Sequence, residues 1–263
     1  METVAKLLAR KQAGEKITML TCYSASMAMA LNATAIDTLL VGDSLATVFQ
    51  GKPDTLSVTL SEMIYHGAIV RRGAPDKFIV VDLPFMSYQI NPEKSLTNAG
   101  KIMKQTGANA VKLEGASEVV LESIRRITTA GIPVVGHLGF TPQGVHSLSG
   151  YRVQGKDQTS AEKLKTEAAL VEQAGAFAVV LEMIPAQLAK TLTASLTIPT
   201  IGIGAGPDCD GQVLVLDDML GLYPHAPKFV KRFAELDRQI QQAAANYIAG
   251  VKQGTFPDAE HSF

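Results

Sequence analysis

The chain is short of cysteine, of charge of one sign and of long apolar runs, and each shortage closes off a class of protein. Its only cysteines, Cys22 and Cys209, stand far apart without a CxxC spacing. Two such thiols supply neither a four-ligand zinc site nor a disulfide framework, and reduced thiols in a cytoplasmic protein are the plain expectation. Lys plus Arg number 24 against 25 Asp plus Glu, and basic residues gather only in pairs such as Arg71-Arg72, Arg125-Arg126 and Lys231-Arg232. That balance offers no electrostatic footprint for nucleic acid or an anionic membrane. No run reaches the roughly 18 apolar residues of a membrane span. The opening METVAKLLARKQAGEK interrupts every apolar run with Lys or Arg, so it reads as an amphipathic helix rather than a signal peptide.

What is present suffices for one large core: 46% of the 263 residues are apolar and 19% charged, well away from the composition of disordered chains. Short apolar runs recur at 18–23, 38–43, 78–83, 110–115, 133–139, 177–182 and 200–206, with a weaker one at 213–216. Between them lie stretches of helical spacing at 24–33, 60–72, 92–106, 117–130, 160–174 and 185–195. Runs of Val, Ile and Leu without alternation suit strands buried on both faces, as in a parallel sheet covered by helices. Ser61-Glu62 and Asn91-Pro92-Glu93 read as helix starts, and Gly107, Gly131 and Gly175 as helix ends. Units of about 30 residues predict a (β/α)8 barrel filling 1–263 as one domain, with an N-terminal helix and a C-terminal helix plus tail. An open doubly wound sheet is the alternative, weakened because no GxGxxG follows the first run. The segment from Asp218, with Gly221, Pro224 and Pro227, reads as a loop leading into a helix over 231–251. The connections 44–59 and 140–159 are long enough to serve as lids or site walls.

In such a barrel the C-terminal ends of the strands share one mouth, so polar residues closing separate runs converge. Those residues are Asp43 (TLLVGD), Asp82 (FIVVDLP), Lys112 and Glu114 (AVKLEG), His137 (VVGHLG) and Glu182 (VVLEMI). Crowded carboxylates repel unless protonation, a cationic side chain or a metal relieves them. Oxygen ligands without paired His or Cys favour Mg2+ over zinc. Any one of Asp43, Asp82 and Glu114 has an ordinary explanation as a helix cap or a partner of Lys112; all three at successive strand ends argue for the metal. Lys112 either balances the acids, binds a substrate carboxylate or forms a Schiff base, and the surrounding acids keep its amine protonated, against the last. Glu182 sits in apolar context, where partial burial raises a carboxyl toward general-base use; the competing reading is a buried Glu held by a structural partner. His137 is either a rival base or a hydrogen-bonding wall residue. Ser44 either holds a substrate oxygen or is a turn serine. The glycines of IGIGAG at 201–206 either cradle an anion or permit close packing.

Taken together, VGDSL at 41–45, HGAIVRRGAP at 66–75, VDLPFMSY at 81–88, VKLEG at 111–115, GHLGFTPQ at 136–143, GYRVQG at 150–155, LEMIP at 181–185, IGIGAG at 201–206 and EHSF at 260–263 resemble the ketopantoate hydroxymethyltransferase family, from about residue 15 onward. The resemblance implies a barrel of the phosphoenolpyruvate/pyruvate superfamily, assembled as a decamer of two pentameric rings in the cytoplasm. It further implies hydroxymethyl transfer from 5,10-methylenetetrahydrofolate to 3-methyl-2-oxobutanoate, giving 2-dehydropantoate for pantothenate biosynthesis. By motif, Asp43 and Asp82 would ligate one Mg2+ per subunit, with Glu114 at or near it. Asp43, Ser44, Asp82, Lys112 and His137 would meet the oxo acid, and Glu182 would be the base. The sequence departs from the family at Ser24, where an acid is usual, at Ala46, where glycine is usual, and at LEMIP in place of LECVP-like sequences. A Mg2+-dependent 2-oxo-acid lyase or mutase on the same barrel, and a non-catalytic small-molecule binder, are the competing readings.

Overall fold

Eight parallel strands close into a single barrel in sequence order, each hydrogen-bonded to the next and the eighth to the first, in a computed structural model that describes residues 2–223 and 226–263. The elements run α1 (Val4–Ala13), β1 (Ile17–Thr21), α2 (Ala25–Asn32), β2 (Thr38–Val41), α3 (Leu45–Val48), α4 (Leu60–Gly73), β3 (Phe78–Asp82), α5 (Pro92–Thr106), β4 (Ala110–Glu114) and α6 (Glu118–Thr129). They continue as β5 (Val134–Gly139), α7 (Gln158–Gln173), β6 (Ala178–Glu182), α8 (Ala186–Ser195), β7 (Thr200–Ile203) and β8 (Gly211–Leu214). All eight predicted runs and all six predicted helices are present. Strands β2, β3, β4 and β7 are buried along their whole length, as expected when helices cover the outside and side chains fill the inside.

Local chemistry sets the element ends. Thr59, rather than the Ser61 suggested by the sequence, caps α4. Its hydroxyl accepts from the Glu62 N–H while the Glu62 carboxylate accepts from the Thr59 N–H, a reciprocal capping box. Asn91 caps α5 with Pro92 in the first turn, and Gly107 ends it in the left-handed conformation. Helix α1 closes the end opposite the mouth. Its Leu7 shares a small apolar void with Ile17, Met19, Phe78, Val80 and Phe177, and Lys11 anchors it to Asp210 at 2.7 Å.

The chain divides into two compact units, the barrel up to Leu214 and a second from Val215 onward. The second holds α9 (Leu216–Leu220) and α10 (Leu236–Gln253). Helix α10 starts five residues later than the 231–251 pattern implied, and Pro224, part of the expected loop, lies outside the described residues. No described helix is long and apolar enough to cross a membrane.

Candidate active site

Strand register does most of the assembly at the mouth. Asp82 is the registered neighbour of Lys112 across β3 and β4, Glu114 of His137 across β4 and β5, and Gly139 of Glu182 across β5 and β6. Side chains two residues apart on a strand share a face, so Lys112 and Glu114 both point inward, and both are buried. Asp43, two residues beyond β2, joins them by donating its backbone N–H to Asp82 Oδ2 at 3.1 Å. Gly42 makes that approach possible, since a Cβ there would meet Ser44 Oγ at 2.9 Å and Asp82 Oδ2 at 3.6 Å.

Lys112 Nζ lies 3.0 Å from Asp82 Oδ2, 3.7 Å from Glu114 Oε1 and 3.3 Å from His137 Nδ1. Burial opposes its charge, but Asp82, Glu114 and Asp43 overcome that and raise its pKa; the amine stays an ammonium, against a Schiff-base role. His137 Nδ1 lies 3.2 Å from Glu114 Oε1, and its Nε2 3.2 Å from Glu182 Oε2, an ion-pair distance outside hydrogen-bond alignment. Burial and the Lys112 charge push the imidazole down, and Glu114 and Glu182 outweigh them, leaving it at about 9. Its contacts with Glu114 and Glu182 are those of a wall residue joining two acids.

The carboxylates divide by surroundings. Burial, Glu114 and Asp82 raise Asp43 well above the usual carboxylate range. Burial also raises Asp82, against the lowering pull of Lys112. Burial acts on Glu114 in the same sense, but His137, Lys112 and the Gln143 N–H outweigh it and hold that carboxyl below its ordinary value. Thus Asp43 and Asp82 are the two acids whose charged form the pocket opposes and a bound cation would relieve. Asp82 Oδ1 is buried without a hydrogen-bond partner among the described residues.

No three His, Cys, Asp or Glu side chains among the described residues form a ready-made metal cage. Two carboxylates are nevertheless the usual protein share of a Mg2+ site, the remaining positions going to water and substrate oxygens. The orphaned Asp82 oxygen and the raised Asp43 therefore fit a hard divalent cation. Glu114 contributes its charge to the same cluster while its own oxygens are engaged by His137 and Gln143.

Glu182 ends β6, half-buried. Its carbonyl accepts the Phe140 N–H at 2.8 Å, and Met183 beside it is held left-handed at φ 47°. A non-glycine residue in that conformation is strain that the surroundings must sustain, here by the Met183 N–H to Ile203 O and the Gln154 N–H to Met183 O, both 2.9 Å. Ser44 opens α3 and shares a 2.8 Å hydrogen bond with the Tyr23 hydroxyl. In IGIGAG the packing alternative accounts for two glycines: a Cβ on Gly202 would meet Cys209 Sγ at 3.0 Å, and one on Gly206 would meet Ala186 Cβ at 2.5 Å. At the departures from the family, Ser24 caps α2 by accepting the Met27 N–H, and Ala46 is fully buried on α3.

Two buried residues without a role in the sequence reading complete the site. Gln143 donates from Nε2 to Asp43 Oδ2 at 2.8 Å and from its backbone N–H to Glu114 Oε2 at 3.0 Å. The Tyr88 hydroxyl donates to Gln143 Oε1 at 2.7 Å and accepts the Glu114 N–H at 3.1 Å. Neither ends a strand, so strand-end counting passes over them; the motifs VDLPFMSY and GHLGFTPQ end on them without assigning them a role.

Comparison with known proteins shows the family and the fold. Residues 1–259 match the family described as ketopantoate hydroxymethyltransferase. A 3-methyl-2-oxobutanoate hydroxymethyltransferase of Leptospira interrogans serovar copenhageni is 52% identical over 265 residues, covering all of both chains. One from Geobacillus sp. is 53% identical over 264 residues, covering all of this chain and 94% of its own. Among solved structures, phosphonopyruvate hydrolase in complex with oxalate and Mg2+ aligns with a TM-score of 0.65 at 11% identity, over 99% of this chain and 93% of that one. A 2,3-dimethylmalate lyase, a member of the PEP mutase/isocitrate lyase superfamily, aligns with a TM-score of 0.61 at 16% identity, over 100% and 93%. At such identities these two speak for the fold.

Proposed function

The chain belongs to the ketopantoate hydroxymethyltransferase family, and from that premise we propose that it transfers a one-carbon unit from 5,10-methylenetetrahydrofolate to C3 of 3-methyl-2-oxobutanoate, giving 2-dehydropantoate for pantothenate synthesis in the cytoplasm. The observation that carries the reading is the cluster of Asp43, Asp82, Lys112 and Glu114, with an orphaned carboxylate oxygen, separated from Glu182 by the single strand β5. This arrangement favours carbon–carbon bond formation over the lyase, mutase and binder alternatives because the relatives at about half identity bear the hydroxymethyltransferase name.

Asp43 and Asp82 would hold Mg2+, with Glu114 adding its charge beside them. When bound, the cation supplies Lewis-acid polarisation of the oxo acid's carbonyl, which acidifies the proton at C3. Lys112 and Ser44 hold the oxo acid through its oxygens, and His137, buried between Glu114 and Glu182, lines the same pocket. Glu182, fixed by its backbone contacts and facing His137, takes the C3 proton. C3 then bonds to the one-carbon unit as its bonds to the folate nitrogens break, water supplying the hydroxyl oxygen and tetrahydrofolate leaving. The family resemblance and the exposed Ile240, Tyr247, Ile248 and Val251 of α10 also support self-association, up to a decamer; light scattering should give a multiple of 28.0 kDa, and a monomer would refute it.

The direct test is to incubate the protein with 3-methyl-2-oxobutanoate, methylenetetrahydrofolate and Mg2+ and follow 2-dehydropantoate. Product should form, stop on chelation and return with added Mg2+. Turnover undiminished by chelator would remove the metal from the reading, and absence of product under all conditions would remove the activity.

A further inference from the structure

We propose that Gln143 is a positioning residue that selects which carboxylate oxygens of the acid cluster remain for a divalent cation, and that it makes this selection depend on the seating of the segment after β5. The inference rests on Asp43 and Asp82 as the metal-holding pair.

A primary amide has two N–H donors and one oxygen with two lone pairs, and Gln143 uses all four. Nε2 donates to Asp43 Oδ2 at 2.8 Å and to Leu83 O at 3.0 Å; Oε1 accepts from the Tyr88 hydroxyl at 2.7 Å and from Gln89 Nε2 at 3.1 Å. Turning the amide over would set its oxygen against a carboxylate and a carbonyl and its NH2 against the Gln89 NH2. The hydrogen-bond network therefore fixes its orientation.

The consequences run to two acids. Asp43 is gripped through Oδ2 and Glu114 through Oε2, the latter by the Gln143 backbone. The other Glu114 oxygen faces His137 and Lys112, and Asp82 Oδ2 is taken by Lys112 and the Asp43 N–H. The oxygens left for a cation are Asp82 Oδ1, which has no partner among the described residues, and Oδ1 of Asp43. A neutral amide suits this task better than a lysine, because it orients Asp43 without cancelling the charge that attracts the cation. Tyr88 locks the arrangement, since its hydroxyl donates to Gln143 Oε1 while accepting the Glu114 N–H.

Groups that orient metal ligands typically change metal affinity by roughly 10- to 100-fold when removed. The experiment measures Mn2+ binding by electron paramagnetic resonance, without oxo acid, for wild type, Gln143→Met and Tyr88→Phe, with circular dichroism and thermal melts in chelator confirming the fold. We expect wild type to bind, Gln143→Met to bind at least 10-fold more weakly, and Tyr88→Phe to lose affinity in the same direction by less. Tyr88→Phe keeps the Gln143 side chain but removes the hydroxyl that donates to its Oε1, and carries the test should Gln143→Met fail to fold. Wild-type affinity in a folded variant would overturn the proposal alone. A wild type that bound no Mn2+ would overturn the metal reading, and this inference with it.

Discussion

Single side chains at the mouth are governed by how much negative charge one buried cation can hold. Lys112 touches Asp82 and lies within 4 Å of Glu114, so Lys112→Met removes the cation and leaves its partners buried. Losing one member of a buried pair costs roughly 3–5 kcal/mol, and a lower melting temperature in chelator is the expected result. The loss should grow with pH. Burial and neighbouring acids already raise Asp43, so below its folded pKa the carboxyl is neutral and little repulsion remains. Above the ordinary carboxylate value the folded state binds more protons than the unfolded one, and stability falls as those protons leave. A melting temperature for Lys112→Met that matched wild type at pH 8 would contradict this. At this scale the sequence was informative where chemistry coincides with position: Asp43 and Glu182 end apolar runs, and Asp82, Glu114 and His137 lie within two residues of the ends of theirs. Tyr88 and Gln143 were illegible because their partners lie 26 to 100 residues away, and nothing local marks a buried amide with all its hydrogen bonds made.

Helices and strands hold the site through their ends. Helix α4 begins at the Thr59–Glu62 box, where hydrogen bonds from the Thr59 backbone and hydroxyl depress Glu62 to about 2. A depressed carboxyl stabilises the fold above its ordinary value and loses that contribution as pH falls toward its folded value. Glu62→Gln should therefore melt lower than wild type at pH 7, with the gap closing between about pH 4.5 and 2. A gap independent of pH would show that the charge plays no part. Strand placement was legible because buried parallel strands are unbroken apolar runs, and β1 to β7 lie within one residue of their predicted starts. The weak eighth run was placed late because β8 begins with Gly211 and Gln212, which carry no apolar signal. Helix α3 was missed inside 44–59, since four residues are too few to display a helical period.

The unit up to Leu214 is a barrel whose two ends do different work: α1 seals one with apolar contacts, and at the other strand register gathers acids that no local rule would place together. The family is fixed by similarity along the full chain, while the proposed chemistry rests on Glu182 standing apart from Asp43 and Asp82, the pair proposed to hold the metal. The most direct test follows the C3 proton of 3-methyl-2-oxobutanoate by NMR in D2O with Mg2+, comparing wild type with Glu182→Gln. Removing a general base typically costs 10²- to 10⁴-fold, on the order of magnitude seen across enzymes. Exchange should fall by about that factor in Glu182→Gln while oxo-acid binding persists; exchange at the wild-type rate in that variant would contradict the account.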